Sequence, residues 1–231
     1  PARPSADRYI DLARRGYLPI GAKNQTQAGW ISFKAGNKSG AVQLYHRGPA
    51  LRSRFTGLAE DVYQQADRLL RLEVQCKKGR LASLARKHRF PDRTLQHFMM
   101  APHIGHDELA RQCQRIFGSF GFFSYRKAAA QINRNAALQR RTKADILNLI
   151  KAVEVAGGIV AAQEKWRQGT PISLHFAKQR RSVHYSNAQV FRLLRRLVRI
   201  GQHLVVVPAA WRMGVVEHPF PALATQYSGT P

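Results

Sequence analysis

The octapeptide LRLEVQCK at Leu70–Lys77 restricts the fold more than any other stretch. Leu70, Leu72, Val74 and Cys76 alternate strictly with Arg71, Glu73, Gln75 and Lys77. Alternation with period two sends one set to the core face of a pleated strand and the other to the polar face. Such a strand needs neighbours. Upstream, AVQLY repeats the pattern, with Val42 and Leu44 inward and Gln43 and Tyr45 on the polar side. AGNKSG is a Gly/Asn turn between that segment and a short strand at Trp30–Phe33, so the pair reads as a hairpin. If the strands of Tyr45 and Glu73 are neighbours, the two side chains share a surface. Tyr45 is then either a cross-strand packing residue or an accessible phenol, and alternation alone leaves both open.

The flanks read as helix. Ala6–Arg15 is a short helix stopped by Gly16 and Pro19, and KNQTQAG after it is a polar turn. Beyond Gly79 the pattern is helical. Thr142 with Asp145 resembles a capping box, Ile146, Leu149, Ile150 and Val153 form an apolar stripe, and Gly157–Gly158 ends that helix. A second helix over 188–200 places Phe191, Leu194, Leu197 and Val198 inward, with Arg192, Arg195, Arg196 and Arg199 on the other side. The composition shifts near 88–106. The expected fold is α+β, a small antiparallel sheet within 1–90 followed by a mostly helical basic region over 91–231.

Charge decides the class of partner. Against 13 acidic residues stand 38 Lys and Arg, a formal net charge of +25. Self-repulsion on that scale is relieved by a polyanion, and bases spread along the whole chain point to nucleic acid rather than a membrane anchor. No apolar run reaches the ~18–20 residues of a membrane span; LVVVPAAW at Leu204–Trp211 is short and holds Pro208. No secretory signal is read at the start, and Cys76 and Cys113 form no CxxC, which predicts a reduced cytoplasmic setting.

Several short motifs carry little. HIGH at His103–His106 lacks the preceding strand and the basic loop of a nucleotide-binding synthetase site. His97, His103 and His106 do not follow a standard metal-ligand spacing. No phosphate-cradling GxxxxGK[ST] or GxGxxG occurs. Phe117, Phe120, Phe122, Phe123 and Tyr125, interleaved with glycine, read either as a stacking platform for bases or as core, with core favoured. The arginine face of 188–200 contains no acid, which suits phosphate contact.

Four segments in order, GNKSGAVQLYHRGPAL, LLRLEVQCKKGRLASL, the stretch from FGSFGFFSYRK to TKADILNLIKAVEVAGG, and HLVVVPAAW, resemble the gene II-type replication initiators of filamentous phages and their plasmid relatives. In the resemblance a helical spacer separates the first two. It implies a rolling-circle initiator that nicks and rejoins single-stranded DNA at an origin through a 5′-phosphotyrosine, with Mg²⁺ or Mn²⁺ as cofactor. Tyr45 occupies the position of the family's nucleophile. Arg47 stands where relatives often have Lys and would stabilise the scissile phosphate. Glu73 matches the strand glutamate, as metal ligand or orienter of a base; otherwise it is a surface ion pair with Arg71 or Lys77.

The implied partners are single-stranded or supercoiled origin DNA, host helicase and polymerase, in a bacterial cytoplasm. Lys77, Lys78, Arg140, Arg141, Arg180, Arg181, Arg192, Arg195, Arg196 and Arg199 are the expected phosphate contacts. The sequence departs from the family in having no His-hydrophobe-His metal pair. The matching region in relatives would lie upstream of Pro1, so the expectation is the C-terminal portion of such an initiator or, alternatively, a shortened relative that has lost the metal site and binds DNA without cutting it. Two alternatives stand beside it: a non-catalytic DNA-binding regulator of replication, and an RNA-binding protein.

Overall fold

The computed structural model describes residues 5–16, 25–28, 32–118, 121–176, 179–221 and 223. The chain divides into two compact units, one formed by 2–13 with 19–116 and 219–231, the other by 14–18 with 117–218. The main chain passes from one to the other between Ile116 and Phe117.

The first unit is built on a tight turn. Asn37 Oδ1 accepts from the backbone N–H of Ser39 at 2.8 Å and of Gly40 at 3.2 Å, so the side chain organises the reversal at Lys38–Ser39. The strands it joins are β2 (Ser32–Asn37) and β3 (Gly40–His46). With β1 (Gln25–Ala28) and β4 (Leu70–Cys76) they form a four-stranded antiparallel sheet in the order β1-β2-β3-β4. Helix α1 (Ala6–Gly16) precedes the sheet. Helices α2 (Arg47–Arg52) and α3 (Glu60–Ala66) link β3 to β4. Helices α4 (Lys78–Lys87), α5 (Leu95–Met99) and α6 (Pro102–Phe117) follow.

Alternation fixes the faces as read. Phe33, Ala35, Val42 and Leu44 are buried on one side of the sheet. Full burial of side chains the size of Phe33 and Leu44 contributes roughly 1.5–3 kcal/mol each. On β4, Leu72, Val74 and Cys76 share that side but are half-buried, because β4 is an edge strand. The sheet begins earlier than expected. Gln25–Ala28, read as part of a polar turn, is β1, paired from Gln25↔Gly36 to Ala28↔Phe33. Backbone pairing to β2 makes a strand of a segment whose only β-branched residue is Thr26. The strand expected at Trp30–Phe33 starts at Ser32, and Trp30 and Pro19 lie outside the described residues.

The second unit holds β5 (Phe122–Phe123), α7 (Tyr125–Arg134), α8 (Arg140–Ala156), α9 (Ile159–Arg167), β6 (Ile172–Phe176), β7 (Gln179–Val183), α10 (Asn187–Arg199) and β8 (Val215–Val216). Its core is the stripe expected on α8, Ile146, Leu149, Ile150 and Val153, against Ile159, Ala162 and Trp166 of α9, Ile172 and Leu174 of β6, and Val190, Leu193 and Leu197 of α10. Gly157 closes α8 in the left-handed conformation at φ 82°.

Two expectations are corrected in this unit. Thr142 is not the N-cap of α8, since the helix starts at Arg140 with Gln139 as cap and Thr142 is buried in its first turn. The region is mostly helical as expected, with β6 and β7 forming a hairpin within it. In α10 the inward set is Val190, Leu193 and Leu197, while Val198 is 71% exposed. Ser186 fixes the start of α10 in a full capping box with Gln189. Two apolar stripes one residue apart fit this helix equally, and packing selects one. Phe117 and Phe122 are fully buried, so the aromatic segment is core there; Phe120 lies outside the described residues.

Candidate active site and nucleic-acid interface

Register brings the first group of candidates together. Tyr45 pairs with Arg71 across β3 and β4, and Gln43 pairs with Glu73. Residues two apart on neighbouring strands are diagonal neighbours on one face, within reach of a long aromatic side chain. The Tyr45 hydroxyl donates to Glu73 Oε1 at 2.7 Å. Arg71 Nε lies 2.9 Å from the same oxygen, and its guanidinium stands 6.0 Å from the centre of the Tyr45 ring. Phenol, carboxylate and guanidinium therefore make one connected group. Tyr45 is only 9% exposed, more enclosed than the polar side of a solvated sheet requires. Lys34 on β2, paired with Gln43, adds an exposed cation to that face.

Electrostatics holds the phenol protonated. Burial pushes the Tyr45 pKa up, and the hydrogen bond and negative charge of Glu73 push the same way, while Arg71 and Arg47 pull it down. The hydroxyl thus keeps its proton at neutral pH and shares it with the carboxylate beside it. Arg47, first residue of α2, is half-buried, and its backbone N–H donates to Leu69 O at 2.9 Å. His46, between Tyr45 and Arg47, is tied by Nδ1 to Asp7 at 3.0 Å and by Nε2 to Asp67 O at 2.8 Å. That leaves His46 structural. Lys77 and Lys78 are exposed where β4 gives way to α4.

Glu73 is the only acidic residue in the four strands of the sheet. Its Oε1 is engaged by both Tyr45 and Arg71, and among the described residues no three His, Cys, Asp or Glu side chains gather as a metal site. That donor set does not by itself hold Mg²⁺ or Mn²⁺, which take octahedral oxygen shells. His97 faces Asp92 and Thr94 rather than His103 or His106.

The second group lies in the other unit. Arg192, Arg195 and Arg199 are exposed on α10, opposite the buried edge at about 100° per residue. Arg196 sits to one side and donates to Thr142 Oγ1 at 2.6 Å, which ties α10 to the first turn of α8, where Arg140 and Arg141 are exposed. Arg180 and Arg181 are exposed on β7. The arginines of α8 and α10 thus share one neighbourhood, joined by a hydrogen bond absent from any sequence pattern. Arg71 was legible only as an ion-pair partner of Glu73; its place beside the Tyr45 ring comes from register.

No family model, no curated protein and no solved structure matches the chain. Among the described residues no helix is long and apolar enough to cross a membrane.

Proposed function

We propose that the protein binds single-stranded DNA and nicks and rejoins it at Tyr45, as a rolling-circle initiator does in a bacterial cytoplasm. The observation that carries this reading is the 2.7 Å hydrogen bond from the Tyr45 hydroxyl to Glu73. A phenol held protonated is a weak nucleophile and needs a base within hydrogen-bond reach. Glu73 is that base. In the forward step Tyr45 Oη attacks phosphorus, the P–O3′ bond breaks, and the phenol proton passes to Glu73. The leaving 3′ oxygen takes a proton from water. The products are a 5′-phosphotyrosine and a free 3′-OH. Rejoining reverses the step: a 3′-OH gives its proton to hydroxide and attacks phosphorus, the P–Oη bond breaks, and Tyr45 leaves with the proton returned by Glu73.

Arg71 and Arg47 offset charge on the pentacoordinate phosphate. Mg²⁺ or Mn²⁺, which Glu73 would hold only together with donors from outside this group, would polarise the scissile phosphate. The exposed arginines of α8, β7 and α10, with Lys77 and Lys78, hold the strand by its phosphates. Helicase and polymerase would act on the free 3′-OH end.

One set of observations favours a second reading, a non-catalytic DNA-binding regulator. Tyr45 is nearly buried, its pKa is raised, and Glu73 is the single carboxylate beside it. Incubation with labelled single-stranded DNA and Mn²⁺, followed by a denaturing gel, separates the two. A covalent adduct lost in Tyr45→Phe supports the nuclease. Salt-sensitive binding without adduct supports the regulator. Equal affinity for structured RNA would favour an RNA-binding protein over both.

A further inference from the structure

Helix α4 ends in an unusual way. Arg89 follows its last turn with φ 55°, a left-handed conformation that a residue with a Cβ adopts at a cost. Arg89 N–H donates to Arg86 O at 3.2 Å, and Phe90 N–H reaches back to Ala85 O at 2.9 Å. This is the Schellman closure normally built with glycine. It folds Phe90 and Pro91 back along the side of α4. The result is a cleft of about 370 Å³ lined by Ala82, Ala85, Arg86, Phe90, Pro91, Asp92 and Arg93. That volume is at the small end of small-ligand sites, roughly 300–1,000 Å³.

The cleft has an apolar floor and a charged rim. Phe90 is held by Phe98, edge-on at 5.3 Å, by His97 at 5.5 Å and by His88 at 6.2 Å. Arg86 and Arg93 are exposed, and neither pairs with a carboxylate among the described residues. Asp92 is held in place: its Oδ1 accepts from Thr94 N–H at 2.9 Å and faces His97 Nδ1 at 2.8 Å. The backbone hydrogen bond from Thr94 lowers its pKa, so the carboxylate stays ionised. The Thr94 hydroxyl bonds the same carboxylate, and with about four lone-pair sites the group keeps capacity to accept a further N–H.

We infer that this cleft takes one unpaired nucleobase of a bound single strand, stacked on Phe90, with an exocyclic amine donating to the Asp92 carboxylate and the flanking phosphates on Arg86 and Arg93. A fixed carboxylate repels phosphate and accepts N–H groups, so it meets the edge of a base and not the backbone. Two uncommitted guanidiniums beside it meet the backbone. Aromatic stacking tolerates any base; the carboxylate discriminates against thymine, which lacks an exocyclic amine. The inference rests on the reading that the chain binds single-stranded DNA and is independent of chemistry at Tyr45.

The test measures binding of the full chain to labelled dA12, dT12 and an abasic 12-mer of equal charge. The wild type should bind dA12 most tightly. Phe90→Ala should weaken dA12 by about 5- to 150-fold, the range for loss of one stacked base, and leave the abasic strand unchanged. Should that variant fail to fold, Phe90→Trp keeps the test: it should bind as wild type, with indole emission quenched by dA12 beyond the background of Trp30, Trp166 and Trp211. Asp92→Asn should narrow the gap between dA12 and dT12. Tight DNA binding with equal affinity for the base-bearing and abasic strands, or with Phe90→Trp unquenched, overturns the cleft and leaves the DNA reading standing. An apolar dye bound there and not displaced by dA12 assigns the cleft to a protein side chain and overturns it too. Absence of any binding to single strands removes the DNA reading itself, and the inference with it.

Discussion

At the scale of single residues, the account turns on which way a proton is shared. Glu73 accepts from Tyr45 at 2.7 Å and is neutralised by Arg71 at 2.9 Å. Glu73→Gln keeps a hydrogen-bond acceptor and removes the base. Cleavage of a single-stranded origin should fall by about 10²- to 10⁴-fold, the usual contribution of a positioned base, while DNA affinity is unchanged or slightly higher. Unchanged cleavage rates in that variant would take Glu73 out of the reaction. Period-two alternation made a shared face for Tyr45 and Glu73 legible in the sequence on the condition that their strands adjoin; that β3 and β4 do adjoin, in this register, comes from the fold. The near-burial of Tyr45 was not, since it depends on how side chains such as Arg71 lie over the ring.

A second residue-scale case is Glu108, which α6 buries to 5% exposure between Arg80 and Arg111. Burial alone would raise its pKa. Hydrogen bonds from Arg111, Arg80 and Gln112 more than offset this and hold it at about 2. A depressed carboxylate pKa stabilises the fold above the unfolded value and loses that contribution as pH falls toward the folded value. The first unit should therefore weaken between about pH 4.5 and 2. Thermal unfolding of wild type and Glu108→Gln across that range checks this. The variant should start lower by on the order of 3 kcal/mol and show a flatter pH dependence.

At the scale of elements, sequence periodicity located helices better than it oriented them. The α8 stripe held because one apolar edge dominates that helix. In α10, Val190, Leu193 and Leu197 compete with Phe191, Leu194 and Val198, and packing against α8 chose the first. The rotation leaves Arg192, Arg195 and Arg199 pointing away from the buried edge and turns Arg196 toward Thr142. Replacing Arg192, Arg195 and Arg199 together by Gln should lower the slope of log affinity against log salt for single-stranded DNA by about 2, at ~0.7 per phosphate contact, and barely change stability. An unchanged slope would remove α10 from the interface. Ser186→Ala should cost about 1 kcal/mol by removing the cap, measurable by denaturant unfolding. The hairpin of β6 and β7 escaped the sequence reading because both strands are short and QRRSV is polar up to Val183; the signal present was the alternation of Ile172, Leu174 and Phe176 with Ser173 and His175 in β6.

At the scale of the whole molecule, a net charge of +25 sits on two units, each with its own core and its own share of the bases. The unit with the four-stranded sheet carries the tyrosine, and the other unit carries the arginine clusters of α8, β7 and α10. Affinity for single-stranded DNA should fall steeply with salt for the intact chain. The proposed chemistry, by contrast, is confined to one hydroxyl. The most direct measurement is mass-spectrometric mapping of the protein after reaction with a single-stranded origin oligonucleotide in Mg²⁺ or Mn²⁺. The account predicts one nucleotide adduct, on the peptide containing Tyr45, absent from Tyr45→Phe. An adduct on another residue, or none while the DNA is bound, would contradict it.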